Sequence, residues 1–354
     1  MADRCNAGIR RLQQGLVIPA HPLALTAERK LDERRQRALT RYYIEAGSGG
    51  LAVGVHTTQF AIRQPEIAMY PSVLQLAMQI AREYAQPPLM IAGVLGDTEQ
   101  ALAEATLAQD SGYDAVLLSL GGLGHWSEDE LVAHCRRIGE VLPVMGFYLQ
   151  PAVGGIQLSY RFWRRFVEIE TVIGIKIAPF SRYFTLDVVR AVVDAGRHSD
   201  ISLYTGNDDT ILHDLLTPFT FPNRNPQDGP LEVRIVGGLL GHWAVWTRTA
   251  SKILEQVQAV TRARAPIPTE LMQLAHQITD SNAAFFDAAN AYRGCIPGLH
   301  EVLRRQGLLE GIWCVDPEEC LSPGQSEEID RVYRQYPHLN DDDFVAQHRD
   351  RWLS

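Results

Sequence analysis

The chain has 354 residues, with 33 basic and 42 acidic side chains and a formal net charge of −9. That balance, with no long block of like charge, argues against a nucleic-acid-binding surface, and no uninterrupted apolar run of about 18 residues is present to span a membrane. A hydrophobic fraction of 46% supports a large core, and at roughly 150 residues per domain the length suits one large unit with a smaller one.

The first residues, MADRCNAGIRRLQQ, are polar and basic. They lack the apolar stretch and small-residue cleavage site of a signal peptide. The five cysteines (Cys5, Cys135, Cys295, Cys314 and Cys320) are odd in number and scattered. They give neither a CxxC pair nor a disulfide framework, so a reducing cytoplasm is expected.

From residue 15 to about 260, short apolar runs alternate with longer amphipathic stretches. The runs are Leu16–Pro19, Gly50–Val55, Leu89–Val94, Ala115–Leu120, Pro143–Tyr148, Val172–Ile177, Ile201–Thr205 and Val233–Gly237. Continuous apolar runs suit parallel strands covered on both faces. Between them, Glu33–Ala46, Glu99–Ser111, Glu128–Val141 and Leu186–Ala195 read as helices, with Thr98, Ser127 and Thr185 as capping residues. Eight strand–helix units predict a (β/α)8 barrel. A doubly wound open sheet is the competitor, but the GxGxxG turn that would favour it is missing after the first strand. Thr217–Pro230, rich in Pro and Asn, reads as an inserted loop. After Ala265 the pattern is purely helical: Thr269–Ala289, Gly298–Gly307 and Glu327–Tyr336. The predicted division is a barrel over 1–262 and a helical C-terminal region over 263–354, ending in a docking helix or a frayed tail over Asn340–Ser354.

Chemistry in such barrels sits at the C-terminal ends of the strands. Those ends carry His21, His56-Thr57-Thr58, a Gly-Gly-Leu-Gly-His segment closing on His125, Tyr148, Lys176, Thr205-Gly206-Asn207-Asp208-Asp209, and Gly241-His242. Lys176 is the most informative. Only three of the basic residues are lysines, and Lys30 and Lys252 lie on charged or amphipathic stretches. Lys176 lies in VIGIKIAPF, where Val172, Gly174 and Lys176 share a strand face and Gly174 clears space below the amine. A lysine among apolar neighbours is rarely buried without a partner. Burial lowers its pKa and leaves a neutral amine, the nucleophile for imine formation with a ketone. The competing account is a structural lysine paired with Asp208. Tyr148, on the adjacent strand, is expected to carry a proton, with Thr57 positioning its hydroxyl. Amides at Thr57 and Thr58 can hold a carboxylate if the loop forms a nest. GGLGHW (121–126) is echoed by GGLLGHW (237–243), so His125 and His242 are candidates to face each other across the mouth, near His56. Imidazole is a natural proton carrier. The alternative is that these glycines only make turns. The histidines lack HxH or HExxH spacing, and no metal is expected.

RYYIEAGSGGLAVGVHTTQF, GFYLQP, GIKIAPF, LYTGNDD and IPGLHEVLRRQGLLEG, in this order, resemble the dihydrodipicolinate synthase / N-acetylneuraminate lyase family. The resemblance runs over about residues 15–325. It implies a class I aldolase barrel with a C-terminal helical extension, a Schiff-base lysine at Lys176 and a catalytic tyrosine at Tyr148. Departures from the family pattern are specific. His56 stands in place of the first threonine of the Gly-Thr-Thr-Gly-Glu motif, Thr57 keeps the second, and Thr58-Gln59 replaces Gly-Glu. Val153 stands where the synthase has a substrate-binding arginine, and GGLGHW replaces the segment bearing an interface tyrosine.

The expected function is therefore an imine-forming lyase or aldolase acting on a 2-oxo acid, and not dihydrodipicolinate synthase itself. Lys176, Tyr148 and Thr57 would be catalytic, and Thr58, His56, His125, Gly206 and Asn207 would contact substrate. No cofactor beyond the covalent imine, no nucleic acid and no membrane are expected, and the assembly would be a homodimer or homotetramer. The alternatives are a sugar-acid dehydratase of the same fold, a barrel serving as a sensor or scaffold, and a phosphate-binding barrel using Gly237-Gly238.

Overall fold

The computed structural model describes residues 2–223, 227 and 229–354. In chain order it contains α1 (Ala2–Gln14), β1 (Val17–Pro19), α2 (Glu33–Glu45), β2 (Gly50–Val53), α3 (Tyr70–Ala81), β3 (Leu89–Val94), α4 (Thr98–Ser111) and β4 (Ala115–Ser119). Then follow α5 (Glu128–Gly139), β5 (Val144–Leu149), α6 (Tyr160–Phe166), β6 (Val172–Ala178), α7 (Arg182–Asp194), β7 (Ser202–Thr205) and α8 (Ile211–Leu216). The chain continues with β8 (Phe219–Phe221), β9 (Leu231–Val233), β10 (Ile235–Leu240), α9 (Thr247–Ala263), α10 (Thr269–Phe285), α11 (Cys295–Arg305), α12 (Gln325–Gln335) and α13 (Asp342–Trp352).

Eight strands form one parallel sheet in the order β1-β10-β7-β6-β5-β4-β3-β2. An Ala20–Ala52 bridge and the His21 N–H to Ala52 carbonyl bond (2.8 Å) join its two edges. The fold is thus a (β/α)8 barrel with C-terminal helices, as the alternating pattern predicts. Alternate side chains divide into two cores. Ile18, Ile91, Leu117, Met145, Phe147 and Leu239 fill the barrel, while Val53, Val116, Val144, Tyr148 and Ile175 face the surrounding helices. That division explains why the strands read as continuous apolar runs.

Three predicted elements need correction. The eighth barrel strand is Ile235–Leu240, so Gly237 and Gly238 lie inside it and not at its end. A Cβ at Gly237 would meet the Leu16 carbonyl oxygen at 2.6 Å, so that glycine permits close backbone approach and is not a phosphate turn. Val233 instead ends an antiparallel hairpin in which β8, inside the predicted loop, pairs with β9 just beyond it; residues 224–226 and 228 of that loop lie outside the described set. Finally, Asp97 and Ser181 cap α4 and α7 in place of Thr98 and Thr185, whereas Ser127 caps α5 as expected.

Two segments at the chain ends complete the packing. Leu12 of α1 closes the barrel floor, and the Tyr204 hydroxyl donates to the Leu12 carbonyl (2.7 Å) and accepts from the Leu16 N–H (3.0 Å). The final segment is a docked helix. Trp352 is fully buried against Tyr42, with ring centroids 5.6 Å apart, and Arg41 donates to the Trp352 carbonyl at 2.8 Å. Among the described residues, no helix is long and apolar enough to cross a membrane.

Candidate active site

At the C-terminal end of the barrel lies a small, partly open cavity. Its walls include Phe147 and Leu149 of β5, Lys176 and Ala178 of β6, and Gly206 and Asp208 after β7. His56 and Thr57 enter from the short 3-10 turn after β2, Gln150 and Val153 from the loop after β5, Phe286 and Tyr292 from the segment between α10 and α11, and Cys295 from the start of α11.

Lys176 is 6% exposed and sits between Phe147 and Tyr204 in strand register. Its Nζ lies 4.2 Å from the centroid of the Phe147 ring. Burial pushes its pKa well down, and the Asp208 carboxylate only partly opposes that. Asp208 is also buried, which pushes its pKa up, against the pull of the His242 N–H that it accepts at 2.8 Å and of Lys176. Burial thus biases both groups toward their neutral forms. His56 is held neutral, lowered to about 4, mainly by burial and secondarily by Lys176.

Space for the lysine comes from Gly206 and not from Gly174. A Cβ at Gly206 would meet Lys176 Cε at 2.7 Å and Ala178 Cβ at 2.8 Å, whereas one at Gly174 would meet the Ser202 carbonyl oxygen at 3.0 Å and Leu12 and Met145 at 3.6 Å, and not Lys176. Val172 belongs to the outer core, because a register shift between β5 and β6 breaks the simple alternation. Gly206→Ala is expected to leave the barrel folded but displace the amine. Borohydride trapping of a 2-oxo acid should then slow at least about tenfold, given how steeply misplacement lowers reactivity; trapping at the wild-type rate would refute the role given to Gly206.

The structure brings Lys176, Thr57, His56 and Gly206 to one cavity, but not the other sequence candidates. Tyr148 faces out of the barrel. Its ring packs against Trp163 and Phe184, and its hydroxyl donates to the Leu158 carbonyl at 3.0 Å. Phe147 is the inward residue, so Tyr148 cannot carry a proton to Lys176, and Thr57 cannot position it. The Thr57 hydroxyl instead donates to the His21 carbonyl at 3.3 Å. Thr58 is a loop staple. Its hydroxyl donates to the same carbonyl (2.7 Å) and accepts from the Gly54 and Val55 N–H groups, and its own N–H donates to the Val55 carbonyl. Asn207 is a structural tie, donating to Thr185 and Asp214 and accepting from the Phe180 N–H at 2.9 Å. His125 is exposed, edge-on to Trp126, and outside the cavity. His242 stacks on Phe285 behind the wall, so the two Gly-His-Trp segments do not oppose their histidines across the mouth. Conversely, Phe286, Tyr292 and Cys295 were invisible as site residues because only tertiary packing brings them to the mouth.

Tyr148→Phe should consequently leave trapping within about threefold of wild type while costing roughly 1 kcal/mol from the lost buried hydrogen bond. Urea unfolding and adduct kinetics on one preparation would check both, and a collapse of trapping would restore Tyr148 to the site.

The model of the Dihydrodipicolinate synthetase family matches residues 14–218, more than half of the chain. The chain belongs to this family. A 4-hydroxy-tetrahydrodipicolinate synthase of Bifidobacterium longum is 24% identical over 293 residues, covering 80% of this chain and 86% of that protein. An N-acetylneuraminate lyase of Citrobacter koseri is 26% identical over 205 residues, covering 56% and 65% respectively. Solved folds agree. The dihydrodipicolinate synthase of Oceanobacillus iheyensis has a TM-score of 0.73 at 16% identity, covering 93% of this chain and 99% of that one. The N-acetylneuraminate lyase of Fusobacterium nucleatum scores 0.70 at 17% identity, covering 91% and 99%. Family membership therefore places the chain among lyase-type barrels, while the cavity residues define what is particular to it.

Proposed function

We propose that this family member is a class I lyase or aldolase that forms an imine with a 2-oxo acid of the pyruvate type. The observation that carries this reading is one buried amine, Lys176, facing an otherwise mostly apolar cavity, where burial lowers its pKa to about 8. Its Nζ attacks the ketone carbon, and the protonated imine then serves as an electron sink for C–C cleavage or condensation. The substrate carboxylate is placed at the leading amides of the 3-10 turn at His56–Thr58, whose first N–H groups have no intrahelical acceptor. The covalent imine supplies the activation, so the reaction is proposed to need no separate cofactor. Val153 lines the wall where the synthase carries its arginine, which favours a substrate partner other than the synthase's amino-aldehyde. Assembly as a homodimer or homotetramer, testable by sedimentation, belongs to the same proposal.

The test is incubation with pyruvate or another small 2-oxo acid, followed by borohydride, intact-mass measurement and peptide mapping. A reduced adduct on Lys176 is expected. Absence of an adduct across the 2-oxo acids tried would overturn the reading.

A further inference from the structure

Imine chemistry requires a proton carrier near Lys176, and the two nearest strand neighbours do not supply one. On β5 the register partner is Phe147, whose ring holds the space beside Nζ. On β7 it is Tyr204, whose hydroxyl is engaged at the barrel floor by Leu12 and Leu16. Thr57 donates its hydroxyl proton to the His21 carbonyl. The phenol that does line the cavity is Tyr292, from the irregular segment between α10 and α11.

That segment is built under strain. Asp287, Ala291 and Tyr292 all have left-handed backbone, with φ of 56°, 55° and 66°. Each non-glycine residue in that region costs on the order of 1 kcal/mol, and such strain concentrates where a side chain must be aimed. Asp287 holds the bend, accepting from the Tyr292 N–H through its carbonyl and from the Gly294 N–H through its carboxylate, both at 3.0 Å. The Tyr292 ring packs edge-on against Phe180, 5.8 Å away, and Phe180 is itself left-handed at φ 50°. Gln150 lines the same cavity. Burial, with the nearby Asp209 and Asp208, raises the phenol's pKa and keeps it protonated at rest.

We infer that Tyr292, brought in by the C-terminal helical region, is the proton carrier for the imine at Lys176, replacing a tyrosine on β5. The inference rests on the imine reading above. In the carbinolamine, the C2–O bond breaks, the hydroxyl takes the Tyr292 proton and leaves as water, and the nitrogen lone pair forms the iminium. The resulting phenolate then removes a proton from C3. The C3–H electron pair becomes the C2=C3 bond, the iminium pair returns to nitrogen, and Tyr292 is neutral again. Amine and 2-oxo acid have become enamine and water, with no other reactant needed.

The test runs two assays on the full chain with pyruvate: borohydride trapping, and exchange of the methyl protons in D₂O followed by proton NMR. Wild type should trap and exchange. Tyr292→Phe keeps the ring against Phe180; it should still reach full trapping on long incubation, while exchange slows about 100-fold or more, the usual scale of lost acid–base catalysis. Adding Phe147→Tyr to that variant places a phenol beside Nζ, and recovery of exchange would support a proton role over a structural one. Exchange by Tyr292→Phe within about threefold of wild type would overturn the inference while leaving the imine reading standing. So would loss of trapping in folded Tyr292→Phe, which would make Tyr292 a group that holds the ketone. No adduct in wild type would remove both readings together.

Discussion

Lys176→Met is expected to abolish the borohydride adduct and lower turnover by about a thousandfold or more, because no other residue on the cavity wall offers an amine. The thioether chain fills much the same space, so the fold should hold. Stability is expected to be unchanged or higher, since burying an amine that can ionise is unfavourable. The pH dependence carries a sign. Burial lowers the Lys176 pKa, so the neutral amine appears at lower pH than for an ordinary lysine near 10.4. Trapping should therefore rise with pH and level off well below that value. Asp208 raises the Lys176 pKa through its negative charge, so Asp208→Asn should move the rise to still lower pH. Adduct rates measured from pH 6 to 10 would decide this; a midpoint at or above that of free lysine would contradict the buried, neutral-biased amine.

Asp341→Ala should give the largest stability loss, about 3 kcal/mol in urea unfolding. Asp341 is 6% exposed and joins three parts of the chain. One carboxylate oxygen accepts from the Tyr42 hydroxyl (2.7 Å) and the Arg248 N–H (2.9 Å), and the other from the Gln306 amide (2.8 Å). The Tyr42 hydroxyl in turn accepts from the Thr247 N–H at 2.9 Å. Alanine strands these buried donors, and each unmet one costs about 1–3 kcal/mol. The loss should also loosen α13, exposing the Trp352 indole and shifting its fluorescence. A change under about 1 kcal/mol would mean the donors find other acceptors. Because Asp341 is not part of the cavity wall, trapping by the folded fraction should persist.

The features legible in the sequence were those set by local pattern. Parallel strands covered on both faces must be apolar throughout, so seven of the eight barrel strands could be read directly as runs. Lys176 was legible for the same reason in reverse, as a costly residue inside such a run. Tyr148 shows the limit. Side chains alternate across a strand, so a one-residue difference in register turns a residue from the cavity to the helices. GFYLQP contains adjacent aromatic residues, and composition alone cannot say which faces inward; the pairing of Phe147 with Lys176 does. Asn207 and Thr58 were misread for a related reason. Their polar groups satisfy nearby buried backbone and side-chain atoms, a demand that exists only once those atoms are buried.

The amino-acid sequence by itself determined the barrel, its helical extension and the one lysine suited to imine chemistry, because hydrophobic periodicity and the cost of a buried amine act over a few residues. Only the tertiary structure decided the composition of the cavity. Strand register chose Phe147 over Tyr148, Gly206 made room for Lys176, and the strained bend after α10 brought Tyr292 to the mouth. These choices depend on packing between segments far apart in the chain, where no local pattern records which side chain will face the ligand.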